Sequence, residues 1–402
     1  MCFTPRVSTD ETWVDTSPGG LLHLLRTGRA ATRADLTRLT GLSRGAVASR
    51  IATLAAAGLL LEGEDLASTG GRPASALHLD PDAGVVLAVA VGRSRSQVGV
   101  FDLAGREVTG DTRDHEPGTV ARDLMPDVAE RLSALLDGLA AAPSPRPRIL
   151  GVGLSLPGSV DPATATATDA PVMRGWDGVA LAPYLAPVTE APVHLDNDTS
   201  VLVRSELFGR VPVARDMLVL KASTGLALGI VADGRLVGEG RGTTGELGHT
   251  RVDAAGDLLC RCGATGCLET VAGGWALVAR LQESGRSDVR HVRDLVTLAL
   301  AGDPEARRLL REAGRQLGEA LAVAVNLLHP EAVVVGGDMS TAFDLLTAGV
   351  RESLHAHAHP AAARALRFVP ATHGEAAGLH GCAALAIDRA LAPRAVDALL
   401  RG

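Results

Sequence analysis

The sequence has one lysine, Lys221, among its 39 basic residues, no apolar run of membrane-spanning length, and only five cysteines, an odd count with three crowded within eight residues, which is poor geometry for a secreted disulfide framework. With Ala and Gly abundant, the scarcity of lysine reads as GC-rich coding bias and says nothing about function. The longest apolar stretches, such as 85–91 and 320–325, stop far short of the roughly 20 residues that a bilayer demands, which excludes a membrane helix. The opening Met-Cys-Phe-Thr-Pro-Arg shows no basic segment followed by an apolar core and a cleavage site. A cytoplasmic protein is expected. The net charge of -7 excludes a polycation, so any nucleic-acid surface must be local. With 46% hydrophobic residues over 402 positions, disorder as the main state is excluded and two or three domains can each bury a core.

Charge is distributed unevenly. Between Leu21 and Leu61 stand Arg26, Arg29, Arg33, Arg38, Arg44 and Arg50 against the single acid Asp35. The same segment carries helix signals. Ser17-Pro18 can open a first helix holding Leu21, Leu22, Leu24 and Leu25. Thr32 and Asp35 form a capping-box pattern before Leu36 and Leu39. After a turn at Gly41-Leu42, Ser43 can cap a third helix with Val47, Ile51 and Leu54 on one face and Gly58 at its end. A strand at Leu59–Leu61, a Gly-rich loop over 62–75 and a returning strand at Ala76–Leu79 complete a winged helix-turn-helix over residues 1–80. Its third helix would present Ser43, Arg44, Gly45, Ser49 and Arg50 to the major groove of double-stranded DNA, and the wing would present Arg72 to phosphate or the minor groove.

Past Asp80-Pro81-Asp82 the pattern becomes buried strands alternating with long Ala/Leu helices. Strands are expected at 85–91, 98–102, 149–154, 218–220 and 332–335, which argues an α/β architecture over 81–402. No solenoid-type repeat is present.

Three of the five cysteines fall within Cys260-Arg-Cys262-Gly-Ala-Thr-Gly-Cys267. Three soft ligands on a glycine-punctuated loop need one more for tetrahedral Zn2+, and His249 is the natural fourth. Such a site is closed and structural, with no position left for substrate. Cys2 reads as a terminal thiol and Cys382 as a small buried residue on a helix.

These cysteines, with Gly245-Glu246-Leu-Gly248-His249 before them and Leu268-Glu269 after, resemble the signature of the ROK family of repressors and sugar kinases. The wing Ser68-Thr-Gly-Gly-Arg-Pro73 resembles that of the family's transcriptional regulators. The resemblance implies a two-lobed, actin-like sugar-kinase body, with lobe one at about 81–205 plus the C-terminal helix and lobe two at about 206–385. It also implies roles: Asn197 on sugar hydroxyls, Asp198 in the place of a kinase's general base, Glu246, His249 and Glu269 around the sugar ring, and Gly158 as a backbone contact. Carboxylates and an amide forking onto vicinal hydroxyls discriminate strongly, because a wrong sugar leaves buried polar groups unpaired. A zinc ion at His249 would orient this wall without entering the chemistry.

The departures from the kinase pattern bear most on function. Where the kinases carry an Asp and a Gly-Gly-Thr loop for Mg2+ and phosphate, the chain has Ala90-Val91-Gly92-Arg93-Ser94. Ala90 cannot serve a metal and Arg93 fills a glycine position, although a guanidinium there can still pair with an anion. In Ser223-Thr224-Gly225-Leu226-Ala227, two more of the family's glycines are replaced. Asp338 follows Gly336-Gly337 in place of another. Pro171-Val172 lacks the amide that precedes the Trp in the family, which puts plain glucose in doubt. The expected function is therefore that of a sugar-responsive repressor with no catalytic residues, binding a palindromic operator as a homodimer or tetramer. The alternative is an ATP-dependent sugar kinase with a fused DNA-binding head.

Overall fold

The computed structural model describes residues 14–65, 75–140, 147–168, 173–209, 213–240 and 245–401. The chain divides into two compact units. One holds the residues up to Gly84 together with Ile387–Gly402, and the other holds Val85–Ala386.

In the first unit, the hydroxyl of Ser17 accepts the Gly20 N–H at 3.0 Å and Pro18 takes the first turn of α1, Pro18–Arg26. Thr32 and Asp35 form a reciprocal capping box on α2, Arg33–Thr40, which ends at Gly41 with φ 69°. Ser43 caps α3, Arg44–Ala56, through the Ala46 N–H at 3.2 Å. Each such cap is worth about 1 kcal/mol. Leu21, Leu22, Leu36, Val47, Ile51, Leu54 and Leu59 close the core. The strands Leu60–Asp65 and Ser75–Leu79 pair antiparallel, so the first wing strand runs longer than its apolar residues suggest. Residues 66–74, including Arg72, lie outside the described residues.

The C-terminal helix Pro393–Leu399 packs on α1. Asp397 accepts the Gly19 N–H at 2.8 Å, and Arg26 pairs with Asp388 at 2.7 Å. The sequence division assigned these C-terminal residues to the body. From Ile387 they instead group with the head.

In the second unit two five-stranded sheets repeat one topology. In the first, the order is Glu107–Asp114, Arg95–Asp102, Val85–Val91, Ile149–Leu156, Val193–Asn197. In the second it is Arg235–Leu236, Leu226–Ala232, Met217–Ala222, Ala332–Gly336, Arg367–Pro370. Each joins an antiparallel meander to two parallel strands. The apolar runs seen in the sequence are the parallel strands and their neighbours, buried on both faces by helices, as this class requires. The helix Ala121–Ala140 covers the first sheet, and Pro304–Leu328 with Phe343–His357 covers the second. The carboxyl ends of the parallel strands of both sheets contribute to one cavity, the usual ligand position in open α/β sheets.

Candidate functional site

The cavity, of about 230 Å³, is lined by Gly158, Asn197, Asp198, Glu246, His249 and Glu269. The fold therefore brings together every residue expected of the sugar site. Asn197 ends a parallel strand and caps the following helix Asp198–Leu207, its side-chain oxygen accepting the Ser200 N–H at 2.7 Å. The strand-to-helix junction thus holds Asn197 and Asp198 at the cavity wall. Glu246 follows Gly245, whose φ is 77° and whose added Cβ would lie 1.7 Å from the Leu228 carbonyl oxygen, so only glycine fits.

Three further residues complete the site, and the sequence reading did not assign them to it. Lys221 Nζ lies 2.7 Å from Asp198 Oδ2. Arg261 donates to Glu269 Oε1 at 2.7 Å and lies over the Trp275 ring at 4.8 Å. Trp275 Nε1 donates to the same oxygen at 2.9 Å, while Glu269 Oε2 accepts the Leu226 N–H at 3.1 Å. Glu269 is therefore a buried carboxylate with both oxygens engaged, more a strut of the wall than an open ring contact. Nothing local in the sequence marks these partners, because they come from separate strands, loops and helices.

Burial holds the Glu246 carboxyl above its usual range, with Asp198 and Glu269 adding to the effect and His249 opposing it. Burial also lowers Arg93, as does the neighbouring charge of Arg261, against the pull of Glu269. Ala90, Gly92 and Arg93 line the cavity from one sheet, and Ser223, Thr224 and Gly225 line it from the other. The Ser223 hydroxyl donates to Asp338, so two of the side chains standing where glycines were expected bond each other.

Next to the cavity, His249, Cys260, Cys262 and Cys267 place one ligand atom each within 4.8 Å of one another. This is a group that could hold a metal ion. Cys260 Sγ lies 3.7 Å from His249 Nδ1, and Cys262 Sγ lies 3.8 Å from Cys267 Sγ. A tetrahedron with metal–sulfur bonds of about 2.3 Å has sulfur–sulfur edges of about 3.8 Å, so the donor set fits a zinc-sized ion. His249 Nε2 faces the other way, 3.8 Å from Glu246 Oε2. One imidazole thus joins the cysteine cluster to the cavity wall.

On the head, Arg44, Gly45 and Ser49 are exposed on α3. Ser43 is exposed but spends its hydroxyl on the helix cap. Arg50 is turned inward, its Nε donating to the Thr16 carbonyl at 2.5 Å and its Nη1 to the Ala46 carbonyl at 3.1 Å. Arg72 falls among residues that are not described. No helix among the described residues is long and apolar enough to cross a membrane.

A two-lobed, actin-like α/β body of the sugar-kinase type, preceded by a helix-turn-helix head, is the class this fold defines. Residues 86–389 match the ROK family, and the chain belongs to that family, as the cysteine motif implied. A glucokinase of Halalkalibacterium halodurans is 33% identical over 270 residues, covering 63% of this chain and 80% of that protein. The DNA-binding transcriptional repressor Mlc of Escherichia coli K12 is 28% identical over 357 residues, 86% of each protein. Among solved structures, a ROK family transcriptional regulator described as a homolog of the E. coli MLC protein superposes with a TM-score of 0.76 at 25% identity, covering 96% of this chain and 98% of that one.

Proposed function

We propose that this protein is a sugar-responsive DNA-binding transcriptional regulator, a repressor, whose head grips operator DNA and whose body binds a sugar or sugar derivative in the cavity. The observation that carries this reading is the extent of the likeness. The repressor relatives align through the head as well as the body, whereas the glucokinase match covers 63% of the chain. Asn197, Asp198, Glu246 and His249 supply the polar groups that vicinal hydroxyls require. A homodimer or tetramer in the cytoplasm fits a palindromic operator. Sugar binding would couple to DNA affinity by about 1–3 kcal/mol, through a change in lobe closure.

The metal assignment rests on the donor set. Cys260, Cys262, Cys267 and His249 would hold Zn2+, which would fix the loop and the His249 imidazole as a structural ion. Within this frame, Glu246 and the Nε2 face of His249 receive the sugar, Asn197 offers its amide, and Arg261 and Trp275 keep Glu269 in place.

A kinase reading is favoured by one observation, the retained Asp198 on the cavity wall. Ala90 and Arg93 stand against it, because neither can do the work of the residue it replaces. An electrophoretic shift assay of the protein's own promoter region against a sugar panel tests the repressor reading, which predicts that at least one sugar changes operator affinity. Phosphoryl transfer to a hexose, abolished by Asp198→Asn, would overturn the assignment as a non-enzyme.

A further inference from the structure

Asp114 ends the edge strand of the first sheet, and its carboxylate is shared by two arginines. Arg95, on the adjacent strand, donates through Nε to Oδ1 at 2.7 Å and through Nη2 to Oδ2 at 3.3 Å. Arg293, on the helix Val292–Leu300 of the other lobe, donates to the same Oδ1 at 3.1 Å. The network extends on both sides. Arg95 Nη1 reaches Glu375 at 3.0 Å, and Arg293 Nη1 lies 3.9 Å from Asp338, which follows a parallel strand of the second sheet. Arg95, Arg293, Asp338 and Glu375 all line the cavity.

An isolated surface ion pair is worth little, but this arrangement differs in two respects. Its arginines are largely sheltered, with side-chain exposures of 26% and 18%. Its acids come from both lobes, and one of them bridges two cations. A sheltered guanidinium forked onto a carboxylate, as Arg95 is on Asp114, is the geometry in which an ion pair does contribute even where the acid is exposed, and Arg293 adds a single bond to the same oxygen. The crosslink lies at the end of the cleft lined by Ala90–Arg95 and Asp338.

We propose that Arg95, Asp114 and Arg293 form an ionic clasp that holds the two lobes closed at this end of the cleft. The clasp opens when the charge on Asp114 is removed or screened, and it makes closure of the body a function of ionic strength. This inference does not depend on the identity of the effector.

Hydrogen-exchange mass spectrometry on the full-length protein tests it. At low salt, Asp114→Asn and Arg293→Gln should each raise exchange at the cleft mouth, in peptides covering 91–114 and 292–300, by roughly threefold to tenfold. Sodium chloride at about 0.5 M, where the Debye length falls to about 4 Å, should do the same to the parent protein and add little to either variant. The double variant should exchange no faster than the faster single variant, because the pair acts as one contact. Arg311→Gln, which removes a surface contact to Glu352 elsewhere, serves as a control and should leave these peptides unchanged. The salt series on the unmodified protein needs no variant to fold. Exchange at the cleft mouth that is insensitive to salt and equal in parent and variants overturns the clasp, as does strict additivity in the double variant.

Discussion

Lys221 Nζ stands 2.7 Å from Asp198 Oδ2, so the only lysine of the chain is spent on the carboxylate that the family resemblance casts as a kinase's base. Burial by itself would lower the ammonium, but the charge and hydrogen bond of Asp198 outweigh it, and Lys221 ends above its ordinary 10.5. A cation whose folded pKa is raised contributes stability that is fully present below its unfolded pKa and is lost as pH climbs through the folded value. Lys221→Met should therefore cost about 1–3 kcal/mol at pH 7, by leaving Asp198 without its cation. It should also flatten the loss of stability that the parent shows above about pH 10.5. Urea unfolding at pH 7 and at alkaline pH measures both effects. An unchanged alkaline limb in the variant would mean that the pair is not coupled to folding.

Glu269 supports a second prediction, because its two oxygens accept from Arg261, Trp275 and the Leu226 N–H while the residue is 4% exposed. Replacing it with Ala leaves three donors without their acceptor. The cost should be about 3 kcal/mol, present in the complete absence of sugar. Denaturant unfolding of the free protein decides the matter. Full stability in Glu269→Ala would make the carboxylate a ligand group first and a strut second.

The fold was legible in the sequence wherever the determinants are local. The capping box at Thr32 and Asp35, the turn at Gly41 and the apolar face of Val47, Ile51 and Leu54 lie within one helix length of each other. The strands of the body show as continuous apolar runs because both faces are buried. The cavity residues follow from the family resemblance, and the fold gathers them. Three features were hidden. Lys221 stands out in the sequence only as the single lysine, since nothing in its neighbourhood shows that its strand ends opposite Asp198. Arg50 falls on the polar side of α3 by periodicity, yet it turns to the Thr16 carbonyl, a partner supplied by the segment before α1. The packing of Pro393–Leu399 on α1 joins residues some 370 positions apart, which no local pattern announces.

The cysteine cluster predicts bound metal at one equivalent per chain, measurable by elemental analysis. Cys262→Ser should lose it and lower the melting temperature. Chelation of the parent should reproduce the shift, because a structural ion that binds only the folded state stabilises by mass action. The sugar response should weaken together with the metal, since His249 belongs to both the cluster and the cavity. Unchanged metal content in Cys262→Ser would remove that residue from the ligand set.

The two arginines of α3 should separate cleanly. Arg44→Ala removes an exposed cation and should weaken operator binding about tenfold, reduce the salt slope by about one phosphate contact, and leave unfolding of the head unchanged. Arg50→Ala removes a side chain bonded to two backbone carbonyls and should destabilise the head by about 1–2 kcal/mol. Binding isotherms at several salt concentrations, set beside melting curves, distinguish the two. If Arg50→Ala changes only DNA affinity, the side chain leaves its carbonyl partners to meet the duplex.

A pair of glycine substitutions in the head should have opposite signs. An added Cβ at Gly19 would lie 2.2 Å from the Pro393 carbonyl oxygen, a contact with backbone that no rotamer relieves. Gly19→Ala should therefore push the helix Pro393–Leu399 off α1, cost about 1–3 kcal/mol, and open the C-terminal residues to proteolysis. Gly45, exposed on α3, has nothing within 4 Å of its added Cβ, so Gly45→Ala meets no obstacle and gains helix propensity. It should stabilise the head by about 0.5–1 kcal/mol. Trypsin digestion and thermal unfolding of the two full-length variants test the contrast. Equal behaviour would mean that the C-terminal helix is not seated on α1 in solution.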